Sequence, residues 1–251
     1  MQDNNLTVKG QDLQQIANIL LLNGTLTECP GLVHGKMGIA IFFFHYARYI
    51  NAMLFADYAS DLIGEIQDQL HANSQADYEK GIAGIGIGID YLIRNDFLDV
   101  EEDIFEDFDQ RMYRAVMYDP WQDFSLYHGG TGYGKYWVSR LHQQPSSIQA
   151  QDCLMKITEQ IERNIRDIPS EEQQDVYRFL HDLQDSSDLD ISPELLEQYR
   201  KPSEDNILKQ IPALDRKKSP VGMGLLSGYA GEGLLRLTAL DATDRSWTRL
   251  L

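Results

Sequence analysis

The stretch Gly31-Leu-Val-His-Gly-Lys-Met-Gly38 decides the fold, because its glycine pattern returns three more times. The later copies are Gly81-Ile-Ala-Gly-Ile-Gly-Ile-Gly88, Leu126-Tyr-His-Gly-Gly-Thr-Gly-Tyr-Gly134 and Gly224-Leu-Leu-Ser-Gly-Tyr-Ala-Gly-Glu-Gly233. The steps are 50 residues (81 minus 31), 48 (129 minus 81) and 95 (224 minus 129), the last being close to two periods. Such a period predicts stacked helical hairpins, none of which can bury its apolar face alone.

The pattern of apolar and polar residues predicts two kinds of helix, buried inner helices and amphipathic outer helices. Buried inner helices are predicted directly after the glycine copies, at residues 37–49, 84–93, 132–141 and 233–240. Amphipathic outer helices are predicted at 54–70, 102–117 and 146–165, and a first helix at 11–22 ends at the stop signal Asn23-Gly24. No alternating run is long enough for a sheet, so we expect an all-α protein.

The 251 residues, 43% of them hydrophobic, are sufficient for one large core, and we expect a single domain over 1–251. Residues 170–220 break the pattern. They are polar and punctuated by four prolines, with helices predicted at 175–183 and 193–199. This segment is interpreted either as a degenerate hairpin without the glycine motif or as an insertion.

The charge and the cysteines limit the classes of partner. With 22 basic and 39 acidic residues, the net charge of −17 argues against nucleic-acid binding, which needs clustered lysine and arginine. The N-terminal residues lack signal-peptide character and no apolar run has the length of a membrane span, so we expect a cytoplasmic protein without a membrane partner. Cys29 and Cys153 form neither a disulfide framework nor a metal motif, and Cys153 is expected in the core side of an outer helix.

The four glycine motifs, each leading a helix, resemble those of the lanthionine synthetase C-like family over about residues 10–165 and 220–241. The resemblance implies an α/α toroid of helical hairpins around a cavity, here an incomplete or reduced ring because the chain is short. Catalytic relatives hold zinc with two cysteines and a histidine. The metal activates a peptide thiolate, which adds to a dehydrated serine or threonine to form a thioether ring.

The zinc ligands of those relatives are not matched in this sequence. Their Trp-Cys-Tyr-Gly and Cys-His-Gly signatures are absent, since Val33 precedes His34 and Tyr127 precedes His128 where the family has cysteine. We therefore expect no metal cofactor. A partial site built from Cys29, His34 and His128 is the alternative, although zinc sites normally use three or four well-placed ligands.

The candidate catalytic residues are His128, His34 and Asp77. The two histidines occupy equivalent places before a glycine turn, where each could serve in acid/base chemistry or bond its own loop. His128 is the stronger candidate, because catalytic relatives carry a histidine in a similar His-Gly motif. Asp77 and Glu79 precede the second motif, where they are either cavity carboxylates or an ordinary acidic loop.

Substrate contacts are predicted from Tyr127, Tyr133, Lys36 and Glu79. The aromatic side chains in the third motif are explained either by core packing or by a platform that stacks against a sugar or a peptide. The sequence leaves open whether the chain is catalytic.

Three functions are consistent with the sequence. The leading prediction is a lanthionine synthetase C-like protein without the zinc site, with a peptide-binding or accessory role in modified-peptide biosynthesis. Its partner would be a peptide substrate or a modification enzyme. The alternatives are a carbohydrate-active hydrolase that uses Asp77, Glu79 or Asp123, and a non-catalytic interaction scaffold.

Overall fold

The computed structural model describes residues 2–71, 73–99, 104–119, 121–186, 195 and 222–251, with side chains from residue 12 onward. Within these residues the regular structure is nine α-helices, one short 3-10 helix and a single isolated bridge between Gly222 and Gly228. The prediction of an all-α protein is therefore confirmed. Over the same residues, no helix combines the length and the apolar character needed to cross a membrane.

The bounds of the helices are α1 Gln2–Asn23, α2 Lys36–Ile50, α3 Met53–Gln69, α4 Ile82–Arg94, α5 Glu106–Met117, α6 Gly130–Gln143, α7 Ile148–Asn164, α8 Gln173–Ser186 and α9 Tyr229–Ala239, followed by the 3-10 helix Ser246–Leu250. Up to α8, successive helices are separated by 12 residues or fewer, whereas 42 residues separate the end of α8 from the start of α9.

All of the predicted helices except the one at 193–199 have counterparts among these elements. The main differences lie at the helix starts: α1 begins at Gln2 rather than residue 11, α5 at Glu106 rather than 102, and α9 at Tyr229 rather than 233. The helix predicted at 193–199 lies outside the described residues except for Leu195, which is helical and buried. Cys153 is fully buried in α7, as expected, and burial raises the pKa of its thiol.

The chain divides into two compact units. Unit 1 comprises residues 1–71, 91–98 and 204–251, and unit 2 comprises 72–90 and 99–203. Unit 1 therefore holds α1, α2, α3, α9 and the 3-10 helix, and unit 2 holds α5 to α8. Helix α4 is divided between them, with residues 82–90 in unit 2 and 91–94 in unit 1. The expectation of a single domain over 1–251 stays a prediction.

A loop of constant geometry precedes α2, α4, α6 and α9. We name these loops A (29–35), B (75–81), C (123–129) and D (222–228). In each loop, the first N–H of the helix donates to the carbonyl seven residues earlier, with N···O distances of 2.9 Å, 2.9 Å, 3.0 Å and 3.1 Å in A to D. The following N–H donates seven residues back in A, B and D, and in C the Thr131 hydroxyl donates to the Phe124 carbonyl instead. The loop thereby satisfies donors that a helix start leaves unpaired.

Each loop ends in a glycine because a side chain has no room there. Gly35, Gly129 and Gly228 have ordinary extended backbone, with φ of −119°, −107° and −120°. A Cβ at Gly35 or Gly81 would lie 2.3 Å from the carbonyl oxygen six residues earlier, and one at Gly129 would lie 2.4 Å away. The glycine is therefore required by the close approach of its own loop, not by its backbone angles.

The structural register differs from the spacing read along the sequence. Hydrogen bonding makes Gly35, Gly81, Gly129 and Gly228 equivalent, whereas the spacing analysis had aligned Gly81 with Gly31 and Gly224. The corrected steps are 46 residues (81 minus 35), 48 (129 minus 81) and 99 (228 minus 129). The alignment from sequence was wrong by four residues in the first and last copies. Each of these copies contains several glycines, and the sequence does not show which of them has no room for a side chain.

Unit 1 is organised around the pairing of loops A and D. The Leu226 N–H donates to the Val33 carbonyl at 3.0 Å. At the start of α2, Gly38 lies against Leu225, where an added Cβ would meet Cγ at 2.8 Å. Further along, Gly233 of α9 lies against the Phe42 ring of α2. The first and last glycine-led helices thus pack directly on each other.

Unit 2 repeats this arrangement with loops B and C. The Glu79 N–H donates to the Tyr127 carbonyl at 3.1 Å, at the positions that Leu226 and Val33 occupy in unit 1. Gly132 lies against Tyr78, and Gly86 of α4 lies against the Tyr136 ring of α6, again at the equivalent positions. Both units are therefore built on one internal plan of two paired glycine loops.

The first part of the segment 170–220, which breaks the sequence pattern, packs on the glycine-led helix α6 of unit 2. The Phe179 ring of α8 packs on Gly134 of α6, and carboxylates near the start of α8 accept hydrogen bonds from loop C. Residues 173–186 are therefore part of the core of unit 2. Residues 187–194 and 196–220 lie outside the described chain, so the choice between a degenerate hairpin and an insertion stays open for them.

A buried histidine lies in the core of unit 1. His45 of α2 is 4% exposed and its Nε2 lies 2.7 Å from the Tyr91 hydroxyl oxygen. Ser246 Oγ lies 3.4 Å from the same oxygen and donates to Asp244 at 2.6 Å. Burial, and then the Arg48 guanidinium, lowers the pKa of His45 to about 4, while Asp244 acts in the opposite direction.

We expect Gly231→Ala to destabilise the protein and Gly64→Ala to stabilise it. Both glycines lie in helices of unit 1, but a Cβ at Gly231 would lie 1.9 Å from the Leu225 carbonyl oxygen, whereas one at Gly64 meets nothing within 4 Å. Overpacking should cost about 1–3 kcal/mol, and the helix propensity of alanine should contribute about 0.5–1 kcal/mol. Urea unfolding of both variants measures this, and equal effects would contradict the steric explanation.

We expect stability to fall as the pH drops from 6.5 towards 4, and His45→Phe to reduce that fall. The folded pKa of His45 is about 4 against 6.5 in the unfolded chain, so the unfolded state binds more protons in this window. The loss should reach about 3 kcal/mol at the acid end. Urea unfolding at several pH values measures it, with the exposed His71→Ala as the control. An unchanged pH profile in His45→Phe would refute the assignment.

Candidate functional site

Five of the seven predicted site residues lie together at the paired loops of unit 2. Loops B and C carry Asp77, Glu79, Tyr127 and His128, and Tyr133 follows in the first turn of α6. His34 and Lys36 belong to loop A and the start of α2, in unit 1.

His128 and Glu79 form a contact pair across loops B and C. His128 Nε2 lies 3.2 Å from Glu79 Oε2, and the two side chains are 62% and 13% exposed. The bond from the Glu79 N–H to the Tyr127 carbonyl fixes this juxtaposition, because it joins Glu79 to the residue directly before His128. The carboxylate orients an imidazole that is open to solvent, which is an arrangement suited to proton transfer.

Asp77 has a structural role in loop B. Its Oδ1 accepts a hydrogen bond from the Lys80 N–H at 2.8 Å. The equivalent residue in loop C is Ser125, whose hydroxyl oxygen accepts from the His128 N–H at 3.4 Å. Asp123 accepts from both the N–H and the hydroxyl of Ser125. The catalytic role predicted for Asp77 stays a prediction, and these bonds support the interpretation of an ordinary acidic loop.

The two predicted tyrosines lie near different carboxylates of this region. Burial raises the pKa of Tyr127 and of Tyr133, so both phenols stay neutral hydrogen-bonding groups near neutral pH. Tyr127 is close enough to Glu79, and Tyr133 to Asp77, for the carboxylates to influence their pKa values. Tyr133 also packs edge-to-face on Trp121, with ring centroids 6.1 Å apart.

In unit 1, Lys36 and His34 differ sharply in their surroundings. Lys36 is 4% exposed, and its ammonium makes a very short ion pair with Glu65 of α3. That pair makes Lys36 a link between α2 and α3, and its predicted contact with substrate stays a prediction. His34 is exposed in loop A, at the position equivalent to His128. Cys29 is half-buried, and its carbonyl accepts the Lys36 N–H in closing the loop.

A cluster of charged side chains on α6 and α8 was not predicted from the sequence. It consists of Lys135, Asp175, Arg178 and Asp182. Burial lowers the pKa of Lys135 to about 8, with Asp182 opposing the shift and Arg178 adding to it. The Lys135 ammonium lies 5.3 Å from the centroid of the Tyr78 ring. A lysine with a pKa near neutrality is a common feature of functional sites.

α8 holds this cluster beside loop C. Asp175 accepts a hydrogen bond from the Leu126 N–H at 2.9 Å, and burial raises the pKa of its carboxyl. Glu172 accepts one from the Phe124 N–H at 2.8 Å. Arg178 is close enough to Tyr127 and Lys135 to influence their pKa values, and within the described part of the chain its Nη2 is buried without a hydrogen bond. Buried donors in proteins normally have a hydrogen-bond acceptor, so this guanidinium could bind an acceptor on a ligand.

A signal for this cluster was present in the sequence. Asp175, Arg178 and Asp182 are spaced three and four residues apart, so they form one stripe of α8 that borders its buried Phe179 and Leu183. The stripe was overlooked because residues 170–220 were considered only as a polar segment that breaks the glycine pattern, either a degenerate hairpin or an insertion.

The comparisons with known proteins give no further assignment. No protein-family model, no curated protein and no solved structure matches this chain. Among the described side chains, no group of three His, Cys, Asp or Glu is placed to hold a metal ion. The site must therefore be interpreted from its own geometry.

We expect Lys135→Met to stabilise the protein at pH 7. The folded pKa of Lys135 is about 8 against 10.5 in the unfolded chain, so the fold disfavours the charged amine, and stability should rise with pH between these values. Because the side chain is partly exposed, we expect about 1–2 kcal/mol rather than the full shift.

Urea unfolding at pH 7 and pH 10 measures this effect, and the gain from the substitution should shrink at the higher pH. Lys156→Met, on α7 of the same unit, is the matched control. Destabilisation by Lys135→Met at pH 7 would show that Lys135 is instead a stabilising member of an ion pair.

Proposed function

We propose that the chain is a lanthionine synthetase C-like protein without the zinc site, with a peptide-binding or accessory role in modified-peptide biosynthesis. One observation carries the proposal: four glycine loops, closed by the same backbone hydrogen bond over seven residues, each open a helix. Two of these loops place a histidine directly before the final glycine, at His34 and His128. The motif resemblance thus has a three-dimensional counterpart in every copy.

We further propose that the helices form a reduced α/α toroid and that the protein acts in the cytoplasm. The packing of α2 on α9 supports a ring. In a closed ring the first and last glycine-led helices must be neighbours. The contact between α4 and α6, which are consecutive glycine-led helices, is the same relation within unit 2.

The cluster beside loop C has the chemistry that a peptide ligand needs. Arg178 offers a buried donor for a backbone carbonyl or a carboxylate, and the Tyr127 ring supplies an apolar wall. Acidic groups at Asp175 and Asp182 limit the net positive charge of this surface. A polar peptide segment is therefore the favoured ligand, and a strongly anionic ligand is not.

The alternative of a carbohydrate-active hydrolase has one observation in its favour. Glu79 is 13% exposed and contacts an imidazole, which gives it a defined position for acid/base chemistry. The other two predicted carboxylates accept hydrogen bonds within their own loops, Asp77 from the Lys80 N–H and Asp123 from Ser125. Since a glycosidase needs two carboxyl groups flanking the bond, the geometry favours peptide binding.

Fluorescence anisotropy with labelled peptides tests the proposal. One peptide carries cysteine and dehydroalanine, and its control carries alanine at those positions. We expect saturable binding of the first peptide, weakened about tenfold by Arg178→Gln, which corresponds to 1.4 kcal/mol. His128→Ala should weaken it as well, whereas His142→Ala, an exposed histidine at the other end of α6, should not.

Three results would contradict the proposal. Absence of saturable binding to either peptide would reject a peptide-binding role, and cleavage of an oligosaccharide that Glu79→Gln abolishes would establish the hydrolase. Zinc present at one equivalent per chain and lost in His128→Ala or Cys29→Ala would reject the zinc-free interpretation.

A further inference from the structure

A cavity of about 390 Å³ lies in unit 2, beside the segment that leads into loop C. Its walls are the end of α5, residues 121–124 and one face of α7. This volume falls within the range of small-molecule sites. The predicted site residues lie outside its lining, so neither the sequence motifs nor the proposed peptide contacts account for it.

Aromatic groups form one side of this cavity. Trp121 is held against the start of α6, where a Cβ on Gly130 would lie 2.6 Å from the indole Nε1. Its other neighbour is the edge of Tyr133. Tyr118 lies at the rim and is 73% exposed. A fixed indole next to an open phenol provides flat apolar surface for the face of a ring.

Polar side chains form the opposite side. Lys156, Gln160 and Asn164 recur every four residues, so they lie on one face of α7. Gln122 adds a third amide from the loop. Each amide carries both donors and acceptors, which suits vicinal hydroxyl groups that do the same. The Asn164 amide is held in place by donating to the Gln160 carbonyl at 2.8 Å.

The charge of the cavity selects a neutral ligand. No carboxylate is among its described lining residues, although 39 of the 251 residues of the chain are acidic. Lys156 disfavours a cation at close range, while the net charge of −17 disfavours anions at longer range. The ligand that complements this lining has an apolar ring face, several hydroxyl groups and no net charge, and a sugar has these properties.

We propose that this cavity binds a neutral saccharide ring, stacked on Trp121 and hydrogen-bonded to the amides of Gln122, Gln160 and Asn164. The described lining residues include no pair of carboxyl groups, so the proposal is one of sugar binding and not of hydrolysis. This proposal does not rest on the peptide-binding role, because it uses different residues and a different ligand.

Intrinsic tryptophan fluorescence provides the test. Trp137 and Trp247 are fully buried, so Trp121 is the indole that responds to a ligand in the cavity. The full chain is titrated with glucose, N-acetylglucosamine and cellobiose, and with glucosamine and glucuronate, which share the ring but carry opposite charges. We expect a saturable change with at least one neutral sugar and a response about tenfold weaker to the charged analogues.

Variants and calorimetry make the outcome decisive. Gln160→Ala should abolish the saturable change, whereas Gln149→Ala, exposed at the other end of α7, should retain it. Titration calorimetry reports binding independently of the indole, and circular dichroism verifies that each variant is folded. No saturable response to any neutral sugar by either method overturns the proposal, as does equal binding by Gln160→Ala or preference for a charged analogue.

Discussion

The structure depends on one steric constraint: a seven-residue loop closes so tightly that its last residue has no space for a Cβ. The closure pairs the first N–H of the following helix with the loop's first carbonyl, and it therefore fixes the direction in which that helix leaves. Paired loops then bring glycine faces of neighbouring helices onto aromatic rings, Gly233 onto Phe42 and Gly86 onto Tyr136. Helix direction, core packing and the placement of both loop histidines all follow from this closure.

Helix positions could be predicted from the sequence because burial has a clear period in this chain. The register of the motif could not, since Gly31 and Gly35 are indistinguishable by composition and differ only in what surrounds them in space. Similarly, Lys36 suggested a substrate contact, but its partner Glu65 is 29 residues away, on the next helix. The partners of Arg178 and Lys135 could not be identified either, because they depend on how α8 packs on α6.

The candidate site combines exposed and buried chemistry in one place. His128 and Glu79 lie at the surface of the paired loops, and the Coulomb energy of such an exposed pair is small. The groups behind them are more constrained, because burial shifts the pKa values of Lys135 and Asp175 towards neutrality from opposite directions. A ligand that displaced water from this region would therefore change protonation states as well as contacts.

The discontinuity of unit 1 has a consequence for synthesis. Unit 2 is nearly continuous in sequence, so its helices can pack soon after residue 203 leaves the ribosome. In unit 1, by contrast, α2 must wait for α9, about 180 residues later, before its Phe42 face is covered. The Phe42 face of α2 thus stays uncovered through most of translation, on the order of ten seconds or more at elongation rates of about 5–20 residues per second. Apolar helix surface that is exposed for this long favours aggregation of the nascent chain.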